Sequence, residues 1–299
     1  MAKLVQIIPN FSEGQDEKFL EGMAKVASSV AGVTLINYST DANHNRSGYT
    51  LVGSPEAAAE VAFEMIKFAA EKIDMTRHQG QHPRMGATDV CPFVPIKNVT
   101  TEECVELAEK LAERVGEELN IPVFLYEDAA TKEERRNLAT VRKGQFEGMA
   151  EKLQQAEWKP DFGPAEVHPT AGVTAIGVRM PLIAFNVNLD TDRLEVANEI
   201  AKTVRGSSGG YKYCKGIGIM LEDRQIAQVS MNITNYEKAP LYRILETIRF
   251  EAERYGVKIL GAEVYGITPA KALIDSAAYY LQLEDFDFNV QVLENHLLE

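Results

Sequence analysis

The chain is short of several things, and each shortage excludes something. Cysteine is rare: Cys91, Cys104 and Cys214 are scattered and leave an odd one out. Neither a disulfide framework nor a paired-cysteine zinc site is expected, and the thiols read as reduced ones in a cytoplasmic protein. Positive charge is scarce, with 31 Lys and Arg against 44 Asp and Glu and a net charge of −13. Phosphate backbones bind a basic face, so nucleic acid is excluded as the main partner. A small anionic ligand would need local basic groups to reverse the field. Nothing apolar approaches the ~20 residues of a membrane helix. The opening "MAKLVQIIPNFSEG" has no basic segment leading into a long apolar one, so neither a membrane partner nor a signal peptide is expected. There is no G-x-S-x-G, and "GIG" at residues 216–218 is too short for a dinucleotide site.

What is present is an ordinary globular composition, 45% hydrophobic and 25% charged over 299 residues, enough for one large domain or two moderate ones. "KLVQIIPNF" reads as a buried strand ended by Pro9-Asn10. Phe19, Leu20, Met23, Val26, Ala27 and Val30 recur at helical spacing before Gly32. "VTLINYS" and "SGYTLVG" read as strands joined by "TDANHNR", and Ser54-Pro55 opens a second helix. "DVCPFVPI", a helix over residues 101–119 and the strand "IPVFLYED" follow. The second half restarts in the same way: strand "PLIAFNVNL", helix, two strands around Glu222-Asp223, helix, strand "VKILGAEVYG" and a last helix. Each half has the order of a split strand–helix–strand unit, ferredoxin-like, with extra elements. The expected fold is therefore α/β (α+β). The stretch "QAEWKPDFGPAEVHPTAGVTAIGVRMP", with the only tryptophan, reads as an ordered loop passing between the halves, where ligands often bind.

The chain has five histidines, and two of them, His78 and His82, fall in "RHQGQHPRMGATDVCPFVP". Their i, i+4 spacing would let a helix share a cation between them, but Gly80 and Pro83 make a helix doubtful and no cysteine pair or carboxylate completes a shell. Acid–base chemistry is the sharper reading. Pro83 pushes His82 out of helical geometry, and an imidazole near pKa 6.5 both takes and returns protons near neutrality. The bland alternative is a loop histidine bonded to main chain. Arg77 and Arg84 are positioned to hold carboxylates, and Gly86 to admit a ligand to the backbone. "DANHNRSGYT" is either a capped turn or a strand end presenting Asp41, Asn43, His44, Asn45 and Arg46 to a cleft. "VRGSSGGYKYCKG" surrounds a Gly/Ser run with Arg205, Lys212 and Lys215 but lacks Walker spacing, and reads better as a mobile loop than as an anion cradle.

Taken together, "PNFSEG", "NRSGYTLVG", "RHQGQHPRMGATDVCPFVP", "LQQAEWKPDFGPA" and "GAEVYGITPAKALIDSAAYY" resemble the glutamate formimidoyltransferase family, in order and across nearly the whole chain. The resemblance implies transfer of a formimidoyl group between tetrahydrofolate N5 and the amino group of L-glutamate, in histidine breakdown. It implies two subdomains, residues 1–180 with the catalytic histidine and residues 181–299, each a mixed β-sheet with helices on its outer face. A folate tunnel between them is expected, with tetrahydrofolate as co-substrate, no metal, and a homodimer. His82 lies at the position of the family's catalytic histidine. Gly163, Pro164, Ala165, Glu166, Val167, His168, Pro169, Thr170, Ala171 and Gly172 lie where its folate-contacting segment falls.

The chain departs from the family pattern in two places. Relatives carry an aspartate near Ser39, where the acid here is Asp41, and "VHPT" replaces an aromatic residue found in some relatives. Larger relatives also carry a helical cyclodeaminase domain, an activity not expected here. In the implied chemistry, one imidazole serves both the attacking and the leaving nitrogen. Asp41 would stabilise the amidinium-like group, and Arg46, Arg84 or Arg179 would attract the glutamate carboxylates. The alternatives are a transferase acting mainly on 5-formyltetrahydrofolate and a folate-binding protein without turnover.

Overall fold

The structure, a computed structural model, describes residues 2–297. It divides into two compact units that part between Arg179 and Met180.

In the first unit, β1 (Leu4–Ile7) and β2 (Asn10–Phe11) form one interrupted line. The break falls at Pro9, which has no N–H to give a ladder. Its carbonyl still accepts from Tyr49 N, at 3.0 Å. Helix α1 (Glu17–Ala27) follows, capped by the Asp16 side chain on Lys18 N. Strands β3 (Val33–Asp41) and β4 (Arg46–Gly53) form a hairpin, and β4 alternates strictly between buried and half-buried positions. This is the pattern of a strand with one face on a core. Helix α2 (Pro55–Lys72) starts at a Ser54 cap with proline in its first turn. Helix α3 (Thr101–Glu118) has a full capping box between Thr100 and Glu103.

Strand β5 (Thr88–Lys97) lies beside the β1–β2 line, so the strands run β5, β1–β2, β4, β3, all antiparallel. Two parallel strands extend this sheet beyond β5: β7 (Thr174–Val178) and then β6 (Val123–Glu127). Val90, Phe124, Tyr126, Val173 and Ala175 pack on one face of this extension with α4 (Leu138–Val141) and α5 (Gln145–Lys152). Cys91, Phe93, Leu125, Ile176 and Val178 join the main core on the other face. Burial on both faces is what parallel strands require.

The second unit comprises β8 (Ile183–Leu189), α6 (Leu194–Val204), β9 (Cys214–Leu221), β10 (Ile226–Ile233), α7 (Leu241–Arg254), β11 (Ile259–Tyr265), α8 (Ala270–Leu281), α9 (Phe288–Gln291) and α10 (Leu293–Leu297). Its sheet order, β11-β8-β10-β9, is the ferredoxin-like one. Val187, Val229 and Ile233 pack there against Ile200, Ile244 and Ile248. The α/β organisation in two subdomains is as expected. The mixed character holds for the first sheet, while every pairing among the described strands of the second is antiparallel. The reason is topological: each split unit places its first strand between the third and fourth, and only the first unit adds parallel strands outside that set.

Two expectations need correction. The stretch taken for a loop between the halves contains β7, a buried central strand of the first sheet. The Gly/Ser run near residue 208 is a compact turn closed by Gly210 N to Arg205 O (3.0 Å) and Tyr211 N to Val204 O (2.9 Å). Arg205 spends its guanidinium on Ser208 Oγ at 2.6 Å, so the anion reading loses its strongest cation. No helix among the described residues is long and apolar enough to cross a membrane.

The chain before β7 is fastened rather than loose. Arg135, 1% exposed, pairs with Asp161 Oδ1 at 2.6 Å, gives Nη2 to the carbonyls of Glu157 (2.9 Å) and Lys159 (2.6 Å), and lies 5.0 Å from the Phe124 ring centre. Removing one partner of a buried pair leaves the other uncompensated. Arg135→Ala is expected to cost about 3–5 kcal/mol in urea unfolding, and a loss under ~1 kcal/mol would mean that this segment is not tied to the sheet.

Candidate active site

One end of the first sheet gathers the motifs that stood apart in the sequence. β2 and β3 end there, and β4, β5 and β7 begin there. Ser12 of "PNFSEG" donates its N–H to Ala87 O (2.9 Å) and its hydroxyl to Gly86 O (2.8 Å). Gly14 donates to Asn45 Oδ1 at 3.0 Å, and a Cβ there would lie 2.6 Å from backbone atoms of Asp41 and Arg46. The residue must be glycine for the turns to meet.

The histidine loop is held from three sides. Asn45 Nδ2 donates to Gln79 O (2.9 Å), Gln81 N to Asn43 O (3.3 Å), and a Cβ on Gly80 would sit 2.2 Å from His44 O. On the second side stands the end of the expected folate segment. Residues 168–172 close a tight hairpin, with His168 and Gly172 exchanging backbone bonds. His168 Nδ1 accepts from Ala171 N at 3.0 Å, and burial lowers its pKa. This hairpin docks through main-chain bonds: Met75 N to Thr170 O (2.8 Å), Ala87 N to Ala171 O (2.8 Å) and Val173 N to Met85 O (3.0 Å). Gly86 faces Gly172 so closely that a Cβ on Gly86 would lie 2.2 Å from Val173 O. The start of the segment, Gly163, is elsewhere, packed on Gly116 of α3 and Ile121 O with φ +81°.

Arg84 forms the third tie. It is buried, grips Glu147 bidentately at 2.7 and 2.9 Å, and also reaches Gln145 and His78. Its partner Glu147 is itself largely exposed, at 65%. His78 is occupied too. Its Nε2–H donates to Asn45 O at 3.0 Å, and its Nδ1 accepts from Arg84 Nε at 3.1 Å. A cation shared with His82 would have to break one of these bonds.

His82 is different. Its Nδ1 lies 2.6 Å from Pro83 O, and a carbonyl only accepts, so Nδ1 carries the proton and Nε2 keeps its lone pair in the neutral ring. Burial lowers its pKa, and the positive charges of Arg46 and Arg142 lower it further, against a smaller pull from Asp89. The main-chain bond of the bland reading is present, and it fixes which ring nitrogen keeps a lone pair. Asp41 does not pair with it. Its carboxylate accepts His44 Nδ1–H at 2.6 Å.

Beneath this surface, Asp89 is fully buried and receives Arg46 Nη1 (2.7 Å), Arg142 Nη2 (2.6 Å) and Met85 N–H (3.2 Å). Two guanidiniums against one carboxylate leave a net positive charge beside His82. Arg142 and Asp89 were not among the sequence candidates. Asp89 stood inside the quoted motif, but Arg142 is brought in by α4, whose short pattern gave no signal. Arg179 ends the first unit one residue after β7.

An imidazole held in a tied-down loop over a positive cluster has the parts that acid–base chemistry uses. The comparisons make the class particular. Residues 4–179 match the family model of the formiminotransferase domain, N-terminal subdomain, and residues 184–297 that of the formiminotransferase domain. The chain is 65% identical to a glutamate formimidoyltransferase of Streptococcus pyogenes serotype M1, covering 100% of both. It is 47% identical to one of Thermoplasma acidophilum, over 95% of this chain and 94% of that one. It is also 43% identical to the formimidoyltransferase-cyclodeaminase of Gallus gallus, over 95% of this chain and 53% of that protein. The chain belongs to the formiminotransferase family.

The cluster can be tested directly. Asp89→Asn leaves two buried guanidiniums without their counter-charge, and is expected to destabilise the chain by about 3–5 kcal/mol in denaturant unfolding. Asp89→Asn with Arg142→Met should recover part of that loss, because one of the orphaned charges is gone; no recovery in the double variant would refute this account.

Proposed function

We propose that the chain transfers a formimidoyl group between N-formimidoyl-L-glutamate and tetrahydrofolate, giving 5-formimidoyltetrahydrofolate and L-glutamate in histidine degradation, with His82 as general acid–base. Family membership supports the reaction class. The observation that carries the residue assignment is the fixed tautomer: Nδ1–H on Pro83 O, and Nε2 left for a substrate proton. Tetrahydrofolate enters as co-substrate, and no step in this chemistry calls for a metal.

Folate N5 attacks the amidinium carbon, becomes a protonated ammonium centre in doing so, and must then lose that proton. A neutral imidazole at that point removes it. Arg46 and Arg142, whose side chains are 12% and 17% exposed, supply the local attraction that a glutamate carboxylate needs in a chain of charge −13. Arg179 remains a further candidate for that role. Residues 163–172 are the proposed folate contact, supported at their end by the hairpin locked to the histidine loop. Asp41, held ionised by backbone N–H bonds from its own turn and by His44, offers negative charge to the amidinium. A cytoplasmic homodimer is the assembly that the family suggests.

The deciding assay is the purified chain with formimidoylglutamate and tetrahydrofolate, followed by absorbance. His82→Ala should keep the wild-type melting temperature and lower kcat/KM by about a hundredfold or more; near-wild-type turnover would end the assignment.

The electrostatics predict a pH signature. A base with a depressed pKa is ready below the ordinary imidazole value, so the acidic limb of kcat/KM against pH should fall below pH ~6.5. Arg142→Gln removes a repelling charge, which raises the His82 pKa and moves that limb to higher pH. A limb unmoved, or moved to lower pH, would show that Arg142 does not act on His82.

A further inference from the structure

The Asp41–His44 pair serves no structural end that its exposure explains. Both side chains are nearly half exposed, 49% and 45%, and an exposed ion pair is worth about 0–1 kcal/mol. Its geometry is nonetheless built with care. Asp41 Oδ1 accepts the N–H groups of Asn43 and His44, each at 2.9 Å, and Oδ2 accepts His44 Nδ1–H at 2.6 Å. Bonds from Gln15 Nε2 to Ala42 O (2.7 Å) and from Gln81 N to Asn43 O (3.3 Å) fix the turn to its neighbours. The ring it aims meets His82 edge to face, with centroids 6.1 Å apart and planes at 72°.

The two rings are thus matched. Each gives Nδ1–H to a fixed oxygen and leaves Nε2 for something else. Their surroundings are opposite in sign. His82 faces Arg46 of β4 and Arg142 after α4, with Asp89 of β5 beneath. His44 faces the carboxylate of Asp41 on β3.

We propose that His44, aimed by Asp41, is the second proton-transfer residue of this site, acting on the glutamate nitrogen while His82 acts on folate N5. This rests on the formimidoyl-transfer reading above. The step balances as follows. The N5 lone pair forms a bond to the amidinium carbon, and the C=N π pair moves onto the NH2 nitrogen. The N5 proton goes to His82 Nε2. In the tetrahedral intermediate the NH2 lone pair re-forms C=N, the bond from carbon to the glutamate nitrogen breaks, and that nitrogen leaves with the bond pair. It takes a proton from Nε2–H of the His44 imidazolium. One proton gained at His82 equals one lost at His44, and passage between the adjacent rings through a water resets the site. Splitting the roles means that neither histidine has to turn over its own proton between attack and departure.

The test compares wild type, His82→Ala, His44→Gln, His44→Ala and Asp41→Asn for turnover with formimidoylglutamate and tetrahydrofolate. His44→Gln keeps a hydrogen-bonding group but cannot ionise. It should lower kcat by about a hundredfold with KM for formimidoylglutamate and the melting temperature nearly unchanged. Added imidazole should restore part of the turnover of His44→Ala, and Asp41→Asn should show a smaller fall in kcat. Wild-type kcat in His44→Gln with an inactive His82→Ala would overturn this proposal and leave the transfer reading standing. So would a defect confined to KM, or a loss in His44→Ala that imidazole does not relieve. A wild type that transfers no formimidoyl group would instead remove the reading beneath it.

Discussion

The structure of the first unit depends on one buried carboxylate. Asp89 sits at the start of β5 with no exposure, and its charge is tolerable only because Arg46 from β4 and Arg142 after α4 both reach it. A third bond, from Met85 N–H, ends the histidine loop on the same group. Three separate stretches of chain therefore converge on this point or leave a charge unpaired. The same arrangement sets the chemistry above it. Burial lowers the His82 pKa and the surplus guanidinium charge lowers it further, so the cluster that holds the strands together also acts on the imidazole above it.

Much of this was legible in the sequence where local rules decide. Ser54-Pro55 announced α2, the helical spacing from Phe19 to Val30 announced α1, and "SGYTLVG" read as the strand that became β4. β7 was not legible, because "TAIGV" is buried on both faces and interrupted by Gly177, leaving neither alternation nor length to read. The helices around residue 145 were missed for a related reason: their stability comes from packing on Phe124, Tyr126 and Ala175 rather than from their own pattern. The site followed the same division. His82 and the hairpin at its flank stood in quotable motifs. Arg142 could not be found, since its role comes from a partner 53 positions away.

Both units arrive at the same strand order, with the first strand between the third and fourth, although no repeat of residues is visible between them. What the halves share is the spacing of apolar positions and turns, and that is enough to specify a split unit. The first unit differs by adding two parallel strands, which turn β5 from the edge of a ferredoxin-like set into an interior strand.

Glycine at the meeting points has the same logic. Gly14, Gly80, Gly86 and Gly172 each stand where a Cβ would overlap backbone of another segment, so the turns carrying Asn45, His82 and residues 168–172 join main chain to main chain. Backbone contacts of this kind do not relax by a rotamer change. His82 is consequently carried by a frame whose position is set by peptide planes, and its ring is oriented by the bond to Pro83 O. Preorganisation at that level is what proton transfer needs, because a base displaced by an ångström no longer meets its proton. The sequence writes this requirement as glycines and a proline around a histidine, and the fold explains why each of them is there.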